Sequence, residues 1–329
     1  MSVVVITGAT AGVGKATALR FAAAGYDVGL IARDNHSLEA TRAEVANYGV
    51  NCHAVSLDVA DAAALSGAAQ TLADRLGAID VWINNAMCTT LAPFYSITDD
   101  EFRRVTEVTY LGCVNGTRAA LEQMIPRDSG VIIQVGSALA YRSIPLQSAY
   151  CGAKAAIRGF TDALRTELMH ERSGVHLAMV QMPGLNTPQF DWARNKFAYS
   201  MRPVAPVFQP EVAAEAIFGV AQRPVRELWV GRSTTIGAIV GQFLFPGFLD
   251  RMMVKKAWEG QMDEALNPPD RRDNLTEPVG GEHRIHGRFS PEAKPRAAAM
   301  TSGVPGKALL GTVALAGLLL IGKCLGRRK

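Results

Sequence analysis

The chain has 329 residues, 48% of them hydrophobic and 19% charged, which excludes a disordered polymer and leaves enough apolar material for one large domain or two average ones. Five scattered cysteines (52, 88, 113, 151 and 324) exclude a disulfide scaffold and fit reduced thiols. The net charge of +4 is concentrated at one end. Residues 267–329 hold 11 Lys/Arg against 5 Asp/Glu, leaving 23 against 25 over the first 266, so no nucleic-acid partner is expected there.

Val3–Thr7 is a short β-branched run that reads as a strand buried on both faces. It starts at the second residue after Met1, with no basic and apolar leader ahead of it, so no secretion signal is expected. A glycine-rich turn follows, then a helix to Gly25. Strands are predicted at 27–32, 52–57, 79–83, 130–135, 175–181 and 227–230. Helices are predicted at 36–47, 62–76, 99–124, 149–171 and 211–222. This alternation predicts an α/β fold, a Rossmann-like doubly wound parallel sheet of about seven strands with helices on both faces. Residues 1–262 are expected to form one domain.

A different regime begins at Asn267. Between 267 and 306, 11 of 40 residues are Gly or Pro and no apolar period is present, which predicts a flexible linker. Residues 307–329 contain 15 unbroken small or apolar residues (308–322) before a basic end, Arg327-Arg328-Lys329. As a helix, 308–322 would be about 22 Å long, short of a hydrocarbon core of about 30 Å. Adding 323–326, with the Lys323 amine reaching outward, brings it to about 28 Å. Membrane association through this tail is expected, with the catalytic domain facing the cytoplasm. The tail either spans the bilayer or lies on it.

Two stretches carry chemistry. In Gly8-Ala9-Thr10-Ala11-Gly12-Val13-Gly14 the first glycine permits the bend, the second admits a pyrophosphate and the third lets helix and sheet approach. At the end of the second strand stands Ala32, followed by Arg33. A cation there suits a 2′-phosphate, so NADP(H) is favoured over NAD(H), with Asp34 on the ribose as the competing reading. Ser137 ends the fifth strand. Tyr150 and Lys154 lie four apart on one helix face, where a nearby ammonium would lower the phenol's pKa and make Tyr150 a general acid or base. Ser137 would hydrogen-bond the substrate oxygen.

Taken together, these motifs resemble the short-chain dehydrogenase/reductase family of the compact single-domain type. The matches are Thr7-Gly8-x-x-x-Gly12-x-Gly14, Asp58, Asn84-Asn85-Ala86, Ser137, Tyr150-x-x-x-Lys154, and Pro183-Gly184 with Thr187. The resemblance implies an oxidoreductase that interconverts a carbonyl and an alcohol by hydride transfer. It implies that Thr7, Gly8, Thr10, Gly12, Val13 and Gly14 cradle the coenzyme and that Asp58 and Val59 meet the adenine. It further implies that Asn84, Asn85 and Ala86 line the coenzyme, that Lys154 holds the nicotinamide ribose, and that Pro183, Gly184 and Thr187 contact the carboxamide end. Three positions depart from the family pattern. Met87 replaces a glycine, Thr109 stands where a relay asparagine is usual, and the loop before Thr187 is one residue short. Thr109 is carried as a candidate relay hydroxyl. The alternative is a catalytically weak coenzyme-binding module, a membrane-tethered sensor or scaffold.

Phe190, Trp192 and Phe197, with Leu139, Tyr141, Ile144 and Leu146, are expected to form an apolar pocket for a hydrophobic small-molecule substrate, although ordinary core packing explains them equally well. The run 236–249 fits a pocket wall, a subunit contact or a lipid-facing surface. A homo-oligomer is expected. No metal is expected, because His283 and His286 sit in the linker with no cysteine nearby.

Overall fold

The computed structural model describes residues 1–231, 235–268, 271–281 and 283–302. The tail at 308–322 lies outside them. Among the described residues, no helix is long and apolar enough to cross a membrane.

The first half of the central sheet comes from β1 (Val3–Thr7), β2 (Asp27–Ala32), β3 (Cys52–Ser56) and β4 (Ile79–Asn84). A two-residue strand, β5 (Thr90–Leu91), follows. The sheet continues with β6 (Gly130–Ser137) and β7 (Val175–Met182). The short strands β8 (Arg194–Asn195) and β9 (Tyr199–Met201) then lead to β10 (Glu227–Val230). β11 (Met262–Leu266) and β12 (Ala299–Thr301) close the series. The main sheet runs β12-β10-β7-β6-β4-β1-β2-β3. Its first seven strands in chain order are parallel, as the alternation predicts, and β12 adds an antiparallel edge. Chain order reverses between β1 and β4. In an open parallel sheet the crevice outside the strand ends at such a point is where ligands bind.

The helices cover both faces. α1 (Gly12–Ala22) and α2 (Asn35–Ala46) precede α3 (Ala62–Leu76). Asp34 and Asp61 cap α2 and α3 by accepting from the backbone N–H groups of Ser37 and Ala64. α4 (Asp99–Thr106) opens with a capping box between Thr98 and Glu101. The helix expected over 99–124 is interrupted. A π turn at Glu107–Leu111 separates α4 from α5 (Gly112–Met124). α6 (Ser148–His170) carries the Y-x-x-x-K motif. α7 (Gln189–Trp192), α8 (Pro210–Gln222), α9 (Gly237–Leu244) and α10 (Pro246–Glu259) complete the set. Alternating strand residues feed two cores, one around Val4, Ile6, Phe21 and Leu30 and one around Val5, Ile31, Leu72 and Trp82.

The stretch expected as a flexible linker is held on the domain. Leu275 is buried in the second core and Phe289 beneath α7, so two apolar anchors seat the segment without any period to betray them. Arg271 donates to the carbonyls of Asp191 and Ala193, and Asn274 donates to that of Trp192. β12 then joins the sheet edge, so the domain extends well past residue 262.

Candidate active site

The crevice at the reversal point opens into a cavity of about 690 Å³. Its wall includes the glycine turn and Arg33, the trio Ser137, Tyr150 and Lys154, and the apolar residues Met201, Met252 and Ala257.

The glycine turn is sterically compelled. Gly8 has φ +66°, and a Cβ there would lie 2.9 Å from the Ala86 Cα. A Cβ at Gly14 would collide with the Gly8 carbonyl, so only glycine lets α1 start this close to β1. Thr7 and Asn85 lock the turn to the end of β4. The backbone N–H groups of Asn85 and Ala86 donate to Thr7 Oγ1 at 3.0 and 3.1 Å, and Asn85 Nδ2 donates to the carbonyls of Thr7 and Gly8. Gly8, Thr10, Gly12, Val13, Asn85 and Ala86 all line the cavity, while Thr7 stands behind it.

Asn84 is not at the coenzyme face. It is buried, accepting from Trp82 Nε1 and donating to Gln134 Oε1, both at 2.9 Å, which corrects the expectation that it lines the cleft. Its neighbour takes that place because successive strand residues point to opposite faces.

At the outer end, Arg33, Asp34, Asp58 and Val59 line the cavity. Asp58 pairs with Arg104. With Asp58 paired to Arg104, Arg33 is the guanidinium of this end that no carboxylate hydrogen-bonds among the described residues. Asp34, the competing ribose ligand, is engaged as the N-cap of α2. Arg33 donates to the carbonyls of Thr276 and Asn274 at 2.7 and 2.5 Å, contacts that nothing in the sequence signalled.

The catalytic candidates converge. Ser137 ends β6, its Oγ accepting from the Leu139 N–H at 3.1 Å and lying beside the Tyr150 hydroxyl. Lys154 is buried and donates to the Val135 carbonyl at 2.6 Å. Its amine lies 5.6 Å from the centre of the Tyr150 ring. The electrostatics differ from expectation. Burial pushes the Tyr150 phenol above tyrosine's ordinary value, and the Ser137 hydroxyl pulls it only part of the way back. Burial likewise lowers Lys154 to about 8. The lysine is held against a backbone carbonyl rather than the phenol, so the expected lowering of Tyr150 is absent.

Thr109 does not reach the cavity. It lies in the π turn, fully buried, donating to the Cys88 carbonyl at 3.0 Å and accepting from the Cys88 N–H at 3.1 Å. The hydroxyl ties a backbone loop, and its one proton is committed to a carbonyl rather than to a relay. Pro183, Gly184 and Thr187 line the cavity as the motif implies.

Of the expected apolar pocket, Leu139, Ile144, Phe190 and Trp192 line the cavity. Tyr141 instead donates to Glu227, and Leu146 and Phe197 pack in a small cluster beside the cavity. Sequence reasoning missed Met252, Met253 and Ala257 of α10, a helix in which apolar and charged residues are mixed and no stripe marks the cavity-lining ones. Gly237, Ala238 and Leu249 also line the cavity, which favours the pocket-wall reading of 236–249.

A fold with this sheet order, a sterically compelled glycine turn and a Ser-Tyr-Lys cluster at the strand ends defines a dinucleotide-dependent oxidoreductase scaffold. The family model for short chain dehydrogenase matches residues 2–196. An oxidoreductase of Bacillus subtilis, YxnA, is 31% identical over 288 residues, covering 85% of this chain and 79% of the relative. Dehydrogenase/reductase SDR family member 7B of Bos taurus is 31% identical over 269 residues, covering 78% and 81%. Among solved structures, an alcohol dehydrogenase from Thermococcus sibiricus complexed with 5-hydroxy-NADP superimposes with a TM-score of 0.61. It shows 27% identity over 70% of this chain and 95% of the other. The chain belongs to the short-chain dehydrogenase/reductase family and is an oxidoreductase.

Proposed function

We propose that the protein is an NADP(H)-dependent enzyme that interconverts a carbonyl and an alcohol on a hydrophobic small molecule. The observation that carries this reading is the single cavity wall that joins the glycine turn, Arg33, the Ser137-Tyr150-Lys154 cluster and an apolar end. The coenzyme supplies or accepts the hydride. Lys154 and the turn hold it, and Ser137 orients the substrate oxygen. Tyr150 moves the proton at that oxygen. Its phenol, held protonated by burial, is suited to donate as a carbonyl is reduced. The convergence of the three catalytic groups favours this over a catalytically weak sensor.

The Arg33 guanidinium at this end, with Asp58 taken up by Arg104 and Asp34 by the α2 cap, supports a 2′-phosphate partner, in line with the 5-hydroxy-NADP named for the archaeal structure. Titration of the protein with NADPH and NADH tests this. Arg33→Asp should weaken NADPH by about 10- to 100-fold while moving NADH by less than about threefold, since only NADPH loses a charge-assisted phosphate contact. Equal effects on both coenzymes would contradict the assignment.

The substrate end is lined by Leu139, Phe190, Met252 and Met253, which supports an apolar substrate. For the C-terminal tail we infer contact with a membrane. Besides the 15 small or apolar residues of 308–322, the turn between α9 and α10 presents Phe243, Leu244, Phe245 and Phe248 at 63–71% exposure, a patch that calls for a covering partner. A homo-oligomer fits the same patch and would show as a larger species in light scattering.

A further inference from the structure

We infer that residues 271–281 and 283–288 form part of the coenzyme site, as a strap across the adenosine half of the cleft that must lift to admit or release a 2′-phosphorylated dinucleotide. The inference rests on the NADP(H) reading and adds the element that controls access to that site.

Three observations carry it. First, the strap is bonded to the side of the cleft that would receive the coenzyme phosphates. Lys15 Nζ donates to the His283 carbonyl and the Gly12 N–H to the Arg284 carbonyl, both at 3.1 Å. His283 Nδ1 meets Thr10 Oγ1 at 2.8 Å, and Arg33 donates to the carbonyls of Asn274 and Thr276. Donors on the glycine-turn side are thus satisfied by neutral carbonyl oxygens. Phosphate oxygens are ionised and make hydrogen bonds roughly twice as strong, so a bound dinucleotide can displace them. Arg33 has five N–H donors, so it can keep the strap and still grip a phosphate.

Second, the strap roofs the cleft without filling it. Asn274, Pro278, Val279 and His283 line the same cavity as Gly8 and Asp58. A dinucleotide reaching from Arg33 to Lys154 would pass the strap residues that share its cavity, and on this proposal the crossing bonds open to let it in.

Third, the strap is clamped outside the cavity. Asp191 accepts from Arg284 at 2.5 Å and from Arg288 at 2.6 Å, and Arg194 holds Asp273. Leu275 and Phe289 are buried, so the Arg33 bonds at Asn274 and Thr276 sit at a fastened point, and the bonds from His283 and Arg284 to the glycine turn are the ones that open. Trp192 lies against the His283 ring, with centroids 5.2 Å apart, which gives the strap an optical reporter.

The strap therefore sets rates more than affinity, because opening and reclosing enter both association and dissociation. Stopped-flow energy transfer from tryptophan to NADPH in the full chain measures both. Asp191→Asn removes the clamp's charge without touching the cavity wall. It should raise the association and dissociation rates about tenfold each while Kd moves by less than about threefold. His283→Ala, which removes the Thr10 contact and the ring packing, should speed dissociation by a similar factor. Trypsin applied to the unmodified chain gives an independent reading. Saturating NADPH should slow cleavage at the exposed Arg272 and Arg284 by about tenfold, as the strap recloses over the ligand. NADPH binding with rates within about twofold of wild type in both variants, or cleavage indifferent to NADPH, overturns the strap alone. A wild-type chain that gives no NADPH signal overturns the coenzyme reading, and the strap proposal with it.

Discussion

Lys154 owes its lowered pKa to burial, with its amine donating to the Val135 carbonyl. A lysine brought down to about 8 is charged below that pH and neutral above it. If the proposed hold on the nicotinamide ribose is made by the ammonium, NADPH affinity should be flat from about pH 6 to 7 and should fall several-fold by about pH 9. Lys154→Met should bind NADPH weakly at every pH and abolish the dependence. A wild-type affinity independent of pH across this range would contradict the role given to the ammonium. The sign for stability is opposite. The unfolded lysine, near 10.4, still binds a proton that the folded one has released, so this residue's contribution to stability of the coenzyme-free chain rises from about pH 8 to about 10.4.

Two elements shape the site without contributing chemistry. The π turn at 107–111 places Thr109 against the Cys88 backbone, where its hydroxyl answers both an N–H and a carbonyl. Thr109→Val should cost about 1–3 kcal/mol in thermal or chemical denaturation, because two buried backbone groups lose their partner. Turnover of the folded variant should stay within about threefold of wild type, and a loss approaching the 10²-fold of a missing proton-transfer group would restore the relay role. The start of α1 depends on Gly14. Gly14→Ala should push the helix off β1, since its Cβ meets the Gly8 carbonyl. It should destabilise the fold by about 1–3 kcal/mol or more and weaken coenzyme binding. Unchanged stability by denaturation would mean that the turn is looser than its geometry indicates.

At the scale of the whole molecule, what was legible in the sequence is what local necessity dictates. Strand-helix alternation follows from period and composition, and the glycine turn from steric demand. Tyr150 and Lys154 pair because a helix brings every fourth residue round to one face. The π turn was not visible in the 99–124 helix, because one extra residue only shifts the phase of the apolar period, and no Gly or Pro punctuates Glu107–Leu111. The strap was read as linker for a related reason. Most of its contacts to the cleft use backbone carbonyls, which every residue has, and its anchors Leu275 and Phe289 are too far apart to form a pattern. Asn84 and Asn85 show how finely a motif divides, since one serves the core network and its neighbour the cleft.

The membrane proposal also belongs to this scale. Full-length protein should remain in the membrane pellet through high-salt and carbonate washes. A chain ending after residue 302 should be recovered in the supernatant with coenzyme binding retained, since every described strap and sheet contact is kept. Release of the full-length protein by salt alone would reduce the contact to electrostatic surface binding.

The central claim is that the Ser137-Tyr150-Lys154 cluster reduces an apolar carbonyl at the expense of NADPH. It is tested most directly by following NADPH oxidation with a panel of apolar ketones and aldehydes, in wild type and in Tyr150→Phe. Wild type should turn over at least one of them. Tyr150→Phe, with its fold and NADPH affinity intact, should lose about 10²- to 10⁴-fold in kcat, the range of a missing general acid. Near-wild-type turnover by Tyr150→Phe would contradict the account.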